Sequence, residues 1–71
     1  MDEELLFLIA ELIDQSCYHE DDNTVNSGFI STYAEAIEVL VEHGYMDYVG
    51  EPRGRYVQAR FTKKYTGNMD S

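Results

Sequence analysis

The chain has no tryptophan, one proline and one cysteine. A lone Cys17 excludes an intrachain disulfide and any zinc site built from several cysteines, and it suits a reducing compartment. Positive charge is missing from most of the sequence. Residues 1–52 hold 13 of the 14 acidic side chains and no lysine or arginine. All five bases (Arg53, Arg55, Arg60, Lys63 and Lys64) lie between 53 and 64, and the formal net charge is −9. Association with phosphate is driven by released counterions and needs positive potential. The acidic balance therefore argues against a general binder of nucleic acid or anionic membrane. Long hydrophobic runs are also lacking. The apolar stretch 5–10 is far too short to span a bilayer, and the acidic residues at 2–4 carry the wrong charge for a signal peptide. These absences predict a cytoplasmic protein without a membrane partner.

What is present suffices for one small domain. The 71 residues are 44% apolar, too apolar for a disordered acidic tail. Below about 70–80 residues a single core rarely supplies more than about 3–5 kcal/mol, so contact with a partner or a second copy often helps. Residues 1–66 read as the domain and 67–71 as a flexible tail.

The periodicity predicts a helix over 2–18, with Asp2, Glu3 and Glu4 where the helix dipole favours negative charge. Leu5, Leu6, Leu8, Ile9, Ala10, Leu12, Ile13, Ser16 and Cys17 fill a single arc. That arc is wider than a helix resting on one surface needs. Either other elements wrap the helix or a second chain covers part of it. Phe7 falls outside the arc, either tucked under a loop or the C-terminal tail or exposed as a contact residue.

Residues 19–28 are polar, acidic and rich in turn formers, which predicts a loop. Asp21, Asp22 and Asn23 do not make a calcium loop, because Asn26 and Thr32 stand where glycine and glutamate are required. A second helix is predicted over 32–43, with a Thr32/Glu35 capping box and Gly44 as its stop. Its polar face is Glu35, Glu38 and Glu42, with Val39 beyond it. Strands at 45–49 and 55–62, joined by the Pro- and Gly-containing residues 50–54, complete a hairpin. The expected class is α+β: two main helices packed on a C-terminal β-hairpin.

Residues 31–62 carry a resemblance in Leu40, Val41, Gly44, Tyr45, Met46, Arg53, Gly54, Arg55, Tyr56 and Thr62. The order of helix, glycine stop, strand, turn and arginine-rich return strand resembles the recognition helix and wing of bacterial winged-helix regulators. The stretch is also similar in texture to small phage-encoded proteins of unassigned role. The resemblance implies a reduced winged-helix domain. It does not bring base reading with it, because the face that would enter the groove carries Glu35, Glu38 and Glu42 with no base on the helix.

No Gly-x-Ser-x-Gly elbow, Gly-rich phosphate loop or His-Glu-x-x-His motif occurs, so no enzyme, metal or cofactor is expected. The leading expectation is a protein-interaction module that also self-associates, a regulator or inhibitor using an acidic helix face and a basic wing. The alternative is a dimeric winged-helix DNA-binding regulator that contacts DNA only through its wing. The residues expected to carry interaction are Phe7, Glu35, Glu38, Val39, Glu42, Arg53, Arg55, Tyr56 and Arg60.

Overall fold

The computed structural model describes residues 2–69. Asp2 opens the first helix, α1 (Glu3–Ser16), its carboxylate accepting from the Glu4 N–H. Two short strands follow, β1 (Tyr18–His19) and β2 (Thr24–Asn26), then α2 (Ser31–Glu42), β3 (Met46–Tyr48), β4 (Gln58–Phe61) and α3 (Lys63–Met69). The strands form one antiparallel sheet in the order β1-β2-β4-β3.

Register sorts the sheet into two faces. Val25 pairs with Ala59, and Met46 with Phe61. These four are buried together with Leu6, Ala10 and Ile13 of α1 and Ile37 and Leu40 of α2. The other face carries Thr24 opposite Arg60 and Asn26 opposite Gln58.

The α+β class is as expected, but two helices on one hairpin is an incomplete description. Residues 19–28 contain strand as well as loop, because their polar groups find partners inside the fold. Asp21 Oδ1 accepts from the Asn23 and Thr24 N–H groups at 3.0 and 2.9 Å and turns the chain. Asn26 donates to Glu20 Oε1 at 2.6 Å. Buried Ser27 donates to the Arg55 carbonyl and accepts from the Val57 N–H. Among the described residues, no buried side-chain polar atom lacks a partner. Polarity excluded a buried helix here, but it did not exclude a strand with satisfied side chains.

The Thr32/Glu35 capping box does not form. α2 starts one residue earlier, and its N-cap, Ile30, makes no side-chain bond. Phe29 precedes it at a φ of 75°, in the left-handed region. Gly44, at a φ of 83°, does follow the C-terminus of α2 as a stop.

The third helix was not anticipated either. Thr62 donates to the Gly44 carbonyl at 2.6 Å and accepts from the Lys64 N–H, which starts the turn. α3 then brings Tyr65 into the core, with ring centroids 4.6 Å from Phe61 and 5.2 Å from Phe7. Burying such a ring contributes roughly 2 kcal/mol, enough to draw a weak seven-residue helix onto the domain. The expected tail at 67–71 thus begins inside α3 as far as Met69, while Asp70 and Ser71 lie outside the described residues.

Candidate interaction site

The helix layer leaves apolar surface uncovered. Leu6, Ala10, Ile13 and Cys17 point into the core, but Leu5, Leu8 and Leu12 remain 48%, 52% and 61% exposed. Their spacing of three and four residues stacks them in one row along α1. The wide apolar arc is thus only half consumed by packing.

The neighbour of this row follows from how the helices lie. Tyr33 of α2 lines a cleft of about 230 Å³ with Ser16, Cys17 and Ile30, so the start of α2 sits beside the end of α1. At the opposite ends, Tyr45 donates a short hydrogen bond to Glu3 Oε2. That bond pushes the Tyr45 phenol up to about 12 and pulls the Glu3 carboxyl down. The two helices are therefore antiparallel. On α2, Ala34, Glu35 and Glu38 line a second cleft with Tyr48, Pro52 and Gly54, facing the β3–β4 connection. The α2 edge nearer α1 then carries Thr32, Ala36, Val39 and His43 by helical register, with Thr32 exposed and the other three half-buried. By helical register Glu35 and Glu42 lie beyond Val39, and Glu4 and Glu11 beyond the leucine row; Glu11 is half-buried and the other three are exposed. The outward surface of the helix layer is a strip between two acidic edges, apolar along α1 and interrupted on α2 by Thr32 and His43.

The residues singled out from sequence separate into distinct places. Glu35, Glu38 and Glu42 are exposed on α2, while Val39 is half-buried against the core. Phe7 is half-buried, its ring centroid 5.2 Å from that of Tyr65 in α3, an element the sequence did not predict. Arg53 and Arg55 flank Gly54 at an exposed tip closed by paired bonds between Arg53 and Tyr56 at 3.0 Å. Tyr56 stacks at 5.1 Å on Phe29. Arg60 lies on the outer sheet face, its Nε 3.4 Å from Thr24 Oγ1. Neither Arg53 nor Arg55 forms an ion pair with a described residue, so the tip is not neutralised by direct pairing with the chain's own acids.

Lys64 stands apart from the arginine tip. Lys64 projects at the far end of the hairpin, donating to the His43 carbonyl at 3.0 Å, lying 3.5 Å from Glu3 Oε1 and 4.8 Å from the Tyr45 ring centre. It fastens α3 to the junction of α1 and α2.

Sequence reasoning also missed a polar chain through three elements. His19 Nε2 lies 3.0 Å from Asp14 Oδ1, and Tyr65 donates to Asp14 Oδ2 at 2.9 Å. Burial and the Asp14 carboxylate push the Tyr65 phenol up. No local spacing signals this set, since Tyr65 is 51 residues from Asp14. Cys17 is buried, and burial pushes its thiol up, opposite to what a nucleophile needs. Among the described residues, no group of three or more His, Cys, Asp and Glu is placed to hold a metal ion.

Comparison with known protein families, with curated proteins and with solved structures finds no match to this chain. Among the described residues no helix is long and apolar enough to cross a membrane.

Proposed function

We propose that the chain is a non-enzymatic protein-interaction module that meets its partner through the outward surface of α1 and α2. One observation carries this reading: of the exposed large apolar side chains, which also include Tyr18, Phe29 and Ile30, three leucines form a single row along one helix. Covering them would contribute roughly 1 kcal/mol each. The glutamates alongside would set orientation and encounter rate more than affinity.

Site-directed photo-crosslinking tests it. A benzophenone side chain at Leu8 or Leu12, in cells that naturally make the protein, should give a discrete protein adduct. The same probe at Glu51, in the β3–β4 connection, should not. Adducts to nucleic acid alone, or none from the helix positions, would refute the reading.

A second reading rests on the unneutralised tip at Arg53 and Arg55: a dimeric, winged-helix-like regulator touching DNA through its wing. It requires that Arg53→Glu with Arg55→Glu abolish duplex binding and flatten its salt dependence. Submicromolar duplex binding by the wild type at physiological salt would sink the first reading. Unchanged affinity in the double variant would end the second.

A further inference from the structure

We infer that the strip between α1 and α2 receives a basic amphipathic helix from another protein: apolar anchors on one face, lysines or arginines along both flanks. This rests on the interaction-module reading and names the partner's chemistry.

Three observations select the occupant. First, the exposed row runs along a helix. Leu5, Leu8 and Leu12 cover two turns of α1, with Ala36 and Val39 half-buried across the strip. An elongated strip between two helices, apolar along α1, fits a helix laid along it, whose anchors repeat every three or four residues. Second, helical register makes both edges acidic: Glu4 and Glu11 on α1, Glu42 on α2 and, between the strip and the β3–β4 cleft, Glu35. Neither helix carries a lysine or arginine, and among the described residues the one base seen against them, Lys64, is paired with Glu3 at the junction of the two helices. The flanks of a docked helix would therefore meet carboxylates on both sides, which favours Lys or Arg and rejects Asp or Glu.

Third, charge argues against the simplest alternative, a second copy. A twofold contact through this strip would bring Glu4, Glu11, Glu35 and Glu42 of one chain against the same residues of the other. The bodies approaching each other would each carry a net charge of −9. Duplex nucleic acid and anionic lipid are rejected on the same ground. The acidic helix face that argues against base reading thus has a use, since it defines which helices can approach.

The test is titration of the full chain against a fluorescein-labelled synthetic helix of about 16 residues, carrying leucines at matching spacing and lysines along both flanks. Anisotropy should report a Kd on the order of micromolar that weakens as salt is raised. Leu8→Lys should weaken binding at least about tenfold, by removing an anchor and adding a like charge. Because Leu8 is half-exposed, circular dichroism should show that this variant stays folded. Glu11→Lys with Glu35→Lys, which leaves the leucine row intact, should produce a similar loss.

Equal affinity for the same peptide with glutamates on its flanks would overturn the inference. So would wild-type affinity in Leu8→Lys. A dimer in light scattering that Leu8→Lys dissolves would also overturn it, by giving the strip to a second copy. If the basic helix fails to bind while benzophenone at Leu8 still captures a protein, the partner chemistry is wrong and the module reading stands. If neither gives a signal, both fall.

Discussion

The molecule consists of two halves with the same plan and different surfaces. The first half is α1–β1–β2 and the second is α2–β3–β4, with β2 and β4 paired antiparallel at the centre of the sheet. Each half contributes buried apolar residues from one helix and from its central strand. Outside the core they diverge. The first helix exposes leucines and the second exposes glutamates. The first hairpin turns over residues 20–23 on Asp21, while the second runs through residues 49–57 to an arginine tip. The core is built from this shared part together with Tyr65 of α3. The leucine row and the arginine tip are additions that packing does not explain, and both proposed docking surfaces fall on them.

The sharpest test compares leucines. Leu6 in the first half and Leu40 in the second are both fully buried, so Leu6→Ala and Leu40→Ala should each cost about 2–4 kcal/mol. That is a large part of the stability of a domain this small, and urea unfolding followed by circular dichroism should show it. Leu8→Ala, two residues from Leu6 but half-exposed, should cost under about 1 kcal/mol. If it instead matches Leu6→Ala, the exposed row is core and its availability to a partner disappears.

The second half was more legible in the sequence than the first, for physical reasons. Helix, glycine stop and β-rich strands at 45–49 and 55–62 are local signals, and α2, Gly44, β3 and β4 appear close to where they fall. The first half hides its strands, because Thr24, Asn26 and Ser27 look like loop residues until their partners on Glu20, Arg60, Arg55 and Val57 are known. Those partners are up to 36 residues away in sequence, beyond any periodicity. α3 was invisible for the same reason, since its anchor is the packing of Tyr65 on Phe7 and Phe61. For the candidate site, the excess width of the α1 arc was readable. Its position beside Val39 and between two acidic edges was not, because that depends on the antiparallel pairing of α1 and α2.

The helix ends give a smaller contrast. α1 ends on Cys17 in an extended conformation, whereas α2 ends through Gly44 at a φ of 83°. Gly44→Ala would force a Cβ into the left-handed region, although the nearest side-chain atom, on Lys64, is 3.9 Å away. The expected cost is backbone strain alone, about 1–2 kcal/mol, read from the shift in urea midpoint. A much larger loss would mean that the Thr62–Gly44 link to α3 breaks as well.

The smallest expected effect belongs to the first half alone and depends on pH. His19 Nε2 lies 2.7 Å from the Asp14 carbonyl and 3.0 Å from its carboxylate, and Nδ1 lies 3.2 Å from the Asp21 carbonyl. Every facing group is an acceptor, so only the doubly protonated ring donates on both sides. The hydrogen bond to the Asp14 carbonyl leads in raising the imidazole above its ordinary 6.5, and the Asp14 carboxylate adds to it. A raised folded value means the proton binds the folded chain more tightly than the unfolded one. Its stabilisation is therefore complete below pH 6.5 and is lost as pH rises through the folded value. The ring is partly exposed, so solvent screening keeps the effect small. Urea midpoints measured at about pH 6 and about pH 8 should fall with pH in the wild type and fall less in His19→Gln. Asp14→Asn, which keeps the carbonyl but removes the charge shared with Tyr65, should lie between them. An identical decline in all three proteins would place the pH sensitivity outside the first hairpin and remove this distinction between the halves.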